Sequence, residues 1–157
     1  MGLLIVDSQY IPQAIALVKT ARKEICISSF KLEISDKPRG RDLCEFFDEI
    51  KERIKQGIKV KVLFNWHDDR RSVPKTNEGA AHILKNCGAD VRYLKNNRCC
   101  HAKLLMIDKE KILLGSHNLS VRSTQANFEM SYLIPDPETV QQVSAVFERV
   151  FSDAKSI

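Results

Sequence analysis

His101 and Lys103 stand two residues apart in the run HAKLLMI, residues 101–107, whose other members are apolar. Side chains alternate along a strand, so as a strand this run places His101, Lys103, Leu105 and Ile107 on one face. Ala102, Leu104 and Met106 then share the other. Ser116 and Asn118 share a parity in the segment GSHN, and Asn127 and Glu129 share one further on. An imidazole, an ammonium, a hydroxyl, an amide and a carboxylate can therefore meet at one end of neighbouring strands. Imidazole titrates near about 6.5, so it can act as nucleophile or proton carrier around neutral pH. Lysine adds a fixed positive charge, and hydroxyl and amide groups donate hydrogen bonds to an anion. Each residue alone has an ordinary reading: a satisfied core histidine, a lysine reaching solvent, turn residues, an edge charge. Gathering them all without a purpose is costly, and that favours a site.

Helices and strands must position these groups. Ser8 is placed to cap a first helix with Ile11, Ile15 and Val18 on one stripe and Pro12 in its first turn. The run EICISSF, 24–30, reads as a strand. Leu43, Phe46, Phe47, Ile50 and Ile54 recur at helical spacing, and Gly57 closes that helix. IKVKVLF, 58–64, alternates as a strand. A polar loop, 65–75, leads into a short helix ending near Cys87–Gly88, and DVRYL, 90–94, is the next strand. Residues 100–107 and 111–116 form two more, joined by the turn DKEK, and FEMSYLI, 128–134, another. Asp136–Pro137 opens a terminal helix carrying Val140, Val143, Phe147, Val150 and Phe151. The order predicts an α/β domain spanning 1–157, a mixed β-sheet sandwiched between α-helices.

With these elements in place, a family pattern is visible. His101–x–Lys103, four residues, Asp108, six residues, then Gly115–Ser116–x–Asn118 resembles the HxK(x4)D(x6)GSxN signature of the phospholipase D superfamily. Asn127–x–Glu129 resembles that family's downstream pair. Both internal spacings match. A short chain with a single motif looks most like the small bacterial and archaeal endonucleases of the family. The resemblance implies an αβα sandwich and a phosphodiesterase working through a covalent phosphohistidine. Neutral His101 would attack phosphorus, and a second, protonated imidazole would protonate the leaving oxygen and later activate water. Lys103, Ser116 and Asn118 would hold the non-bridging oxygens, with no metal or other cofactor required. Glu129 is the candidate to orient His101. Asp108 has the opposite parity and sits at the turn entry, so it is expected to brace the hairpin rather than touch phosphate. His67, His82 and His117 lack the context to be the second imidazole. The resemblance therefore implies a homodimer with two His101 side chains facing across a two-fold axis.

Bulk properties address the substrate. The chain has 157 residues, a net charge of +5 and 43% hydrophobic residues, which suits a globular domain and weakly favours a polyanionic partner. Basic clusters at Lys37, Arg39 and Arg41, at Arg70 and Arg71, and at Arg92, Lys95 and Arg98 flank the motif. They make a nucleic-acid groove for DNA or RNA the leading expectation. Trp66 would stack on a base, or else pack against the domain. The alternatives are a phospholipase or phosphatidyltransferase, and a non-catalytic nucleic-acid-binding module keeping a relic site. Five cysteines lack a secreted disulfide pattern, and Cys87, Cys99, Cys100 and His101 lack zinc-knuckle spacing. Cys26 and Cys44 read as buried thiols. The segment MGLLIVDSQYIPQ resembles neither a signal peptide nor a membrane span, so a cytoplasmic chain without stable membrane association is expected.

Overall fold

The computed structural model describes residues 2–34, 38–66 and 72–157. In chain order its elements are β1 (Leu3–Val6), α1 (Tyr10–Val18), β2 (Glu24–Ser29), α2 (Arg41–Lys55), β3 (Lys59–Phe64), α3 (Ser72–Asn86) and β4 (Asp90–Tyr93). There follow β5 (Lys103–Ile107), β6 (Lys111–Gly115), α4 (Val121–Gln125), β7 (Met130–Ile134), α5 (Pro137–Asp153) and β8 (Lys155–Ser156). Eight strands form one sheet in the order β1-β7-β6-β5-β2-β3-β4-β8. β2, β3 and β4 run parallel through the crossovers α2 and α3, and every other pairing is antiparallel. The expected mixed sheet with helices on both faces is the observed architecture.

Strand alternation sorts the apolar residues into two cores. On one face Ile25, Ile27, Val60, Val62, Val91, Leu105, Ile107 and Leu113 pack with Val18, Phe46, Phe47, Ile50 and Leu84 of α1, α2 and α3. On the other, Cys26, Leu63, Leu104, Met106 and Ile112 pack beneath Val140, Phe147 and Phe151 of α5. Each fully buried Phe or Ile contributes about 1.5–3 kcal/mol relative to exposure. Gly57, at φ +86°, ends α2 in the left-handed region that glycine tolerates. Asp136 caps α5 by accepting the Thr139 N–H at 2.7 Å.

α5 leaves part of its face bare. The cross-strand partners Leu114, Tyr132 and Leu4 form one row over β6, β7 and β1, and are 40%, 46% and 55% exposed. Val146 of α5 is also exposed. A groove of about 400 Å³ between α5 and the sheet, lined by Ala102, Leu104, Leu114 and Val146, continues that row. Among the described residues no helix is long and apolar enough to cross a membrane.

Several local expectations change. Residues 7–9 form a short 3-10 turn, and α1 starts at Tyr10 with no side-chain cap at Gln9, so Ser8 does not cap it. Leu3–Val6, too short to show a period, becomes an edge strand by pairing with β7. α3 begins at Ser72, inside the segment expected to be loop. Cys44 is only partly buried, whereas Cys26 is fully buried. β5 begins at Lys103 and β7 at Met130, so His101 and Glu129 sit just outside the strands expected to hold them. For β5, pairing stops there because β2, whose Ser28 pairs with Leu104, ends one residue later.

Candidate active site

The site lies where β2 and β3 end, β5 begins, β6 ends and β7 begins. Lys103 pairs with Gly115, and Gly115 with Ser131, so three strand ends converge. Gly115 is required for this closeness. A Cβ there would lie 2.3 Å from the Met130 carbonyl oxygen and 2.4 Å from the Ser131 Cα. His101 is exposed at the strand entrance, with its ring 4.9 Å from that of Phe30. Lys103 is buried, its Nζ 2.9 Å from His101 Nδ1 and 3.3 Å from Nε2, and it donates to the His101 carbonyl at 2.6 Å. A neutral imidazole has one acceptor nitrogen, so the ammonium can donate to one of the two ring nitrogens, as the tautomer decides. The Phe30 ring centroid lies 5.6 Å from the Lys103 ammonium. Burial lowers the Lys103 pKa from its ordinary value, and the Glu129 carboxylate works against that lowering.

Glu129 anchors the polar side. Its Oε2 accepts from Ser116 Oγ, and its Oε1 accepts from Ser123 Oγ at 2.9 Å and Asn127 Nδ2 at 3.0 Å. Burial would raise its pKa, but these donors outweigh it and hold the carboxyl below its ordinary value. The Glu129 N–H donates to Asp7 Oδ1 at 2.8 Å, and the Asp7 N–H donates to the Glu129 carbonyl at 3.0 Å. Ser123 also accepts the Asn118 N–H at 2.8 Å. Asn118 Oδ1 accepts the Lys31 N–H at 3.0 Å, which fixes the Nδ2 side of the amide as the donating one. Asp7, Ser123 and Phe30 thus support the site and were absent from the sequence reading. The only signal was Asp7 interrupting an apolar run.

Glu129 therefore holds the serine–asparagine wall, and these three side-chain donors leave its carboxylate capacity for one more. His117 is buried, with Nδ1 2.8 Å from Ser131 Oγ, Nε2 3.0 Å from the Asp7 carbonyl oxygen, and its ring stacked on Tyr10 at 4.4 Å. Burial lowers its pKa, consistent with a neutral, structural histidine. Asp108 stands at the far end of β5, at φ +54°. Its carboxylate accepts the N–H groups of Arg22, Lys23 and Glu24 at 2.8, 2.8 and 2.9 Å, tying the hairpin turn to the start of β2. Away from His101, it braces the hairpin.

The surrounding cations divide. Arg92 pairs with Asp90 at 2.8 Å and lies over Phe151, and Lys95 pairs with Asp153 at 2.8 Å, so two members of that expected cluster are engaged elsewhere. Arg98 and Arg41 are exposed. Arg39 is exposed and lines a cleft with Lys31 and Arg122. Trp66 stacks on Tyr93 at 5.0 Å and meets Phe64 edge-on, so one face packs against the body. Lys37, His67, Arg70 and Arg71 lie outside the described residues.

Comparison with known proteins places the chain in a family. A family model described as "Cardiolipin synthase, PLD-like domain" matches residues 14–151, and the chain belongs to this phospholipase D-like family. Cardiolipin synthase 1 of Staphylococcus epidermidis is 28% identical over 110 residues, which is 70% of this chain and 22% of the relative. Cardiolipin synthase of Listeria monocytogenes is 26% identical over 133 residues, 85% of this chain and 26% of the relative. The chain thus spans only about a quarter of these relatives. Among solved structures, the phospholipase D family member Nuc from Salmonella typhimurium superposes with a TM-score of 0.79 at 15% identity, covering 100% of this chain and 99% of that one. NucT from Helicobacter pylori gives 0.76 at 20% identity, covering 100% and 99%. Phosphatidylserine synthase from Haemophilus influenzae gives 0.72 at 16% identity, covering 99% and 40%.

Proposed function

We propose that this chain is a metal-independent phosphodiesterase cutting DNA or RNA through a phosphohistidine, in an active site shared by two copies. The observation that carries the reading is His101 in contact with Lys103 at strand ends that converge, through Gly115, on the Ser116–Glu129 pair. An imidazole nitrogen of His101 attacks phosphorus, and the bond to the leaving oxygen breaks as a second imidazolium protonates it. Lys103 and Asn118 hold the non-bridging oxygens. Ser116 joins them when its hydroxyl turns from Glu129 to phosphate. Water, deprotonated by the second imidazole, then cleaves the P–N bond and restores His101. Glu129 is the positioning carboxylate for an imidazole N–H.

The second imidazole is best supplied by another copy of the chain. His117 is committed to Ser131 and Asp7, and His82 lies on α3 beside Glu78. The bare row Leu114–Tyr132–Leu4 and the apolar groove ending at Ala102, next to His101, support an isologous contact. The small fold neighbours Nuc and NucT, covered almost end to end, favour the nuclease reading. The cardiolipin synthase relatives favour the second reading, a phosphatidyl transfer in which the same histidine carries a phosphatidyl group.

Incubation with single- and double-stranded DNA, RNA and phosphatidylglycerol vesicles, with excess chelator present, tests this. Nucleic-acid cleavage that persists with chelator and vanishes in His101→Ala is expected. Cleavage abolished by chelator, or surviving in His101→Ala, contradicts the mechanism. Turnover of lipid alone selects the second reading.

A further inference from the structure

We infer that the cleft lined by Lys31, Arg39 and Arg122 is a subsite for the phosphate that flanks the scissile one in a nucleic-acid strand. The inference rests on the nuclease reading above and names the part of the substrate that reading leaves unplaced. The cleft encloses about 910 Å³, enough for a nucleotide, and is lined by Lys31, Glu33, Arg39, Arg122, Gln125 and Asn127.

It is continuous with the catalytic side through three links. Lys31 follows Phe30, the ring against His101, and its N–H is fixed by Asn118 Oδ1. Asn127 lines the cleft while donating to Glu129. Arg122 Nε donates to Asn127 Oδ1 at 3.2 Å, so the guanidinium is aligned from the site's own wall. Its Nη groups have no acceptor among the described residues.

The charge balance favours an anion. Among the described residues lining it, three cations face one carboxylate, and Glu33 is already engaged, 3.7 Å from Lys31 Nζ and accepting the Val121 N–H at 3.2 Å. Arg39 has no ion pair among the described residues. Two guanidinium groups at one cleft present the planar, paired donors that suit a phosphate diester's paired oxygens. A substrate with a single phosphate leaves this cleft empty, whereas a polynucleotide carries a second charge along the strand.

The test uses a single-stranded oligonucleotide with one cleavage position, and variants of it with a neutral methylphosphonate at the linkage on either side of that position. Wild type, Arg39→Gln, Arg122→Gln and Arg122→Lys are assayed on each, with bis(p-nitrophenyl) phosphate as a single-phosphate reference. For wild type, neutralising one of the two flanking linkages is expected to lower kcat/KM about tenfold through KM. Each Gln variant is expected to lose a similar factor on the all-phosphate strand, beyond any loss on the reference ester. On the methylphosphonate strand the variants are expected to lose little more, because the partner is already gone. The slope of log KM against log salt should shrink by about 0.7 per removed contact, and Arg122→Lys should recover part of the loss. Additive losses, or equal losses on strand and reference ester, overturn the subsite while leaving the nuclease reading standing. Failure of the wild type to cut any oligonucleotide overturns both.

Discussion

His101 sits outside any strand, exposed, with Lys103 Nζ 2.9 Å from one ring nitrogen. Little of the fold depends on an exposed side chain, so His101→Ala should unfold within a degree or two of wild type. Its turnover should fall by at least about 10³-fold. Loss of activity with an unchanged melting temperature, read on the same preparation, separates nucleophile from scaffold. Asp108 predicts the converse. Three backbone N–H groups end on its carboxylate, and Asp108→Ala should cost about 2–4 kcal/mol in denaturant unfolding while the folded fraction keeps turnover within about threefold. Burial would raise the Asp108 pKa, but those N–H groups outweigh it and hold it below the ordinary 3.8. Its contribution is therefore complete above about pH 5 and is lost as the pH falls through the depressed folded value. Acid unfolding of wild type should carry this extra dependence below about pH 4, and Asp108→Asn should not.

At the scale of elements, the site exists because β5, β6 and β7 end together, and Gly115 sets how closely β6 approaches β7. Gly115→Ala places a methyl 2.3 Å from the Met130 carbonyl oxygen and should cost about 1–3 kcal/mol. Because Met130 follows Glu129, activity should fall further than stability alone explains, seen as a drop in kcat under conditions where the variant is fully folded. Much of this arrangement was legible in the sequence. Period-two alternation separated Leu105 and Ile107 from Leu104 and Met106, and the structure buries the two pairs in opposite cores. Parity also set Asp108 apart from His101. What the sequence concealed depends on contacts far along the chain. Asp7 reaches Glu129 across 122 residues only because a four-residue edge strand pairs with β7, and four residues are too few for a period to show. Ser123 sits on the one-turn helix α4, whose sequence VRSTQ has no apolar repeat to reveal it. The Arg92 and Lys95 cations looked free until folding brought Phe151 and Asp153 beside them.

At the scale of the whole molecule, α5 covers one half of its face of the sheet and leaves Leu114, Tyr132 and Leu4 to solvent. A row of that kind suits an interface, and the proposed shared site would place a second chain upon it. Leu114→Glu with Tyr132→Glu should reduce the mass in sedimentation from twice 17.9 kDa to 17.9 kDa, and activity should fall with it although His101 and Lys103 are untouched. A monomer that keeps full turnover would remove the need for the second copy.

In the proposed mechanism each chain contributes half of a catalytic centre. Dimers assembled from one wild-type chain and one differently tagged His101→Ala chain, purified through both tags and assayed with chelator present, test it most directly. With two imidazoles needed per turnover, these mixed dimers should run below about 1% of wild-type steady-state rate. Half of the wild-type rate would show that each chain carries a complete site, and would contradict the account.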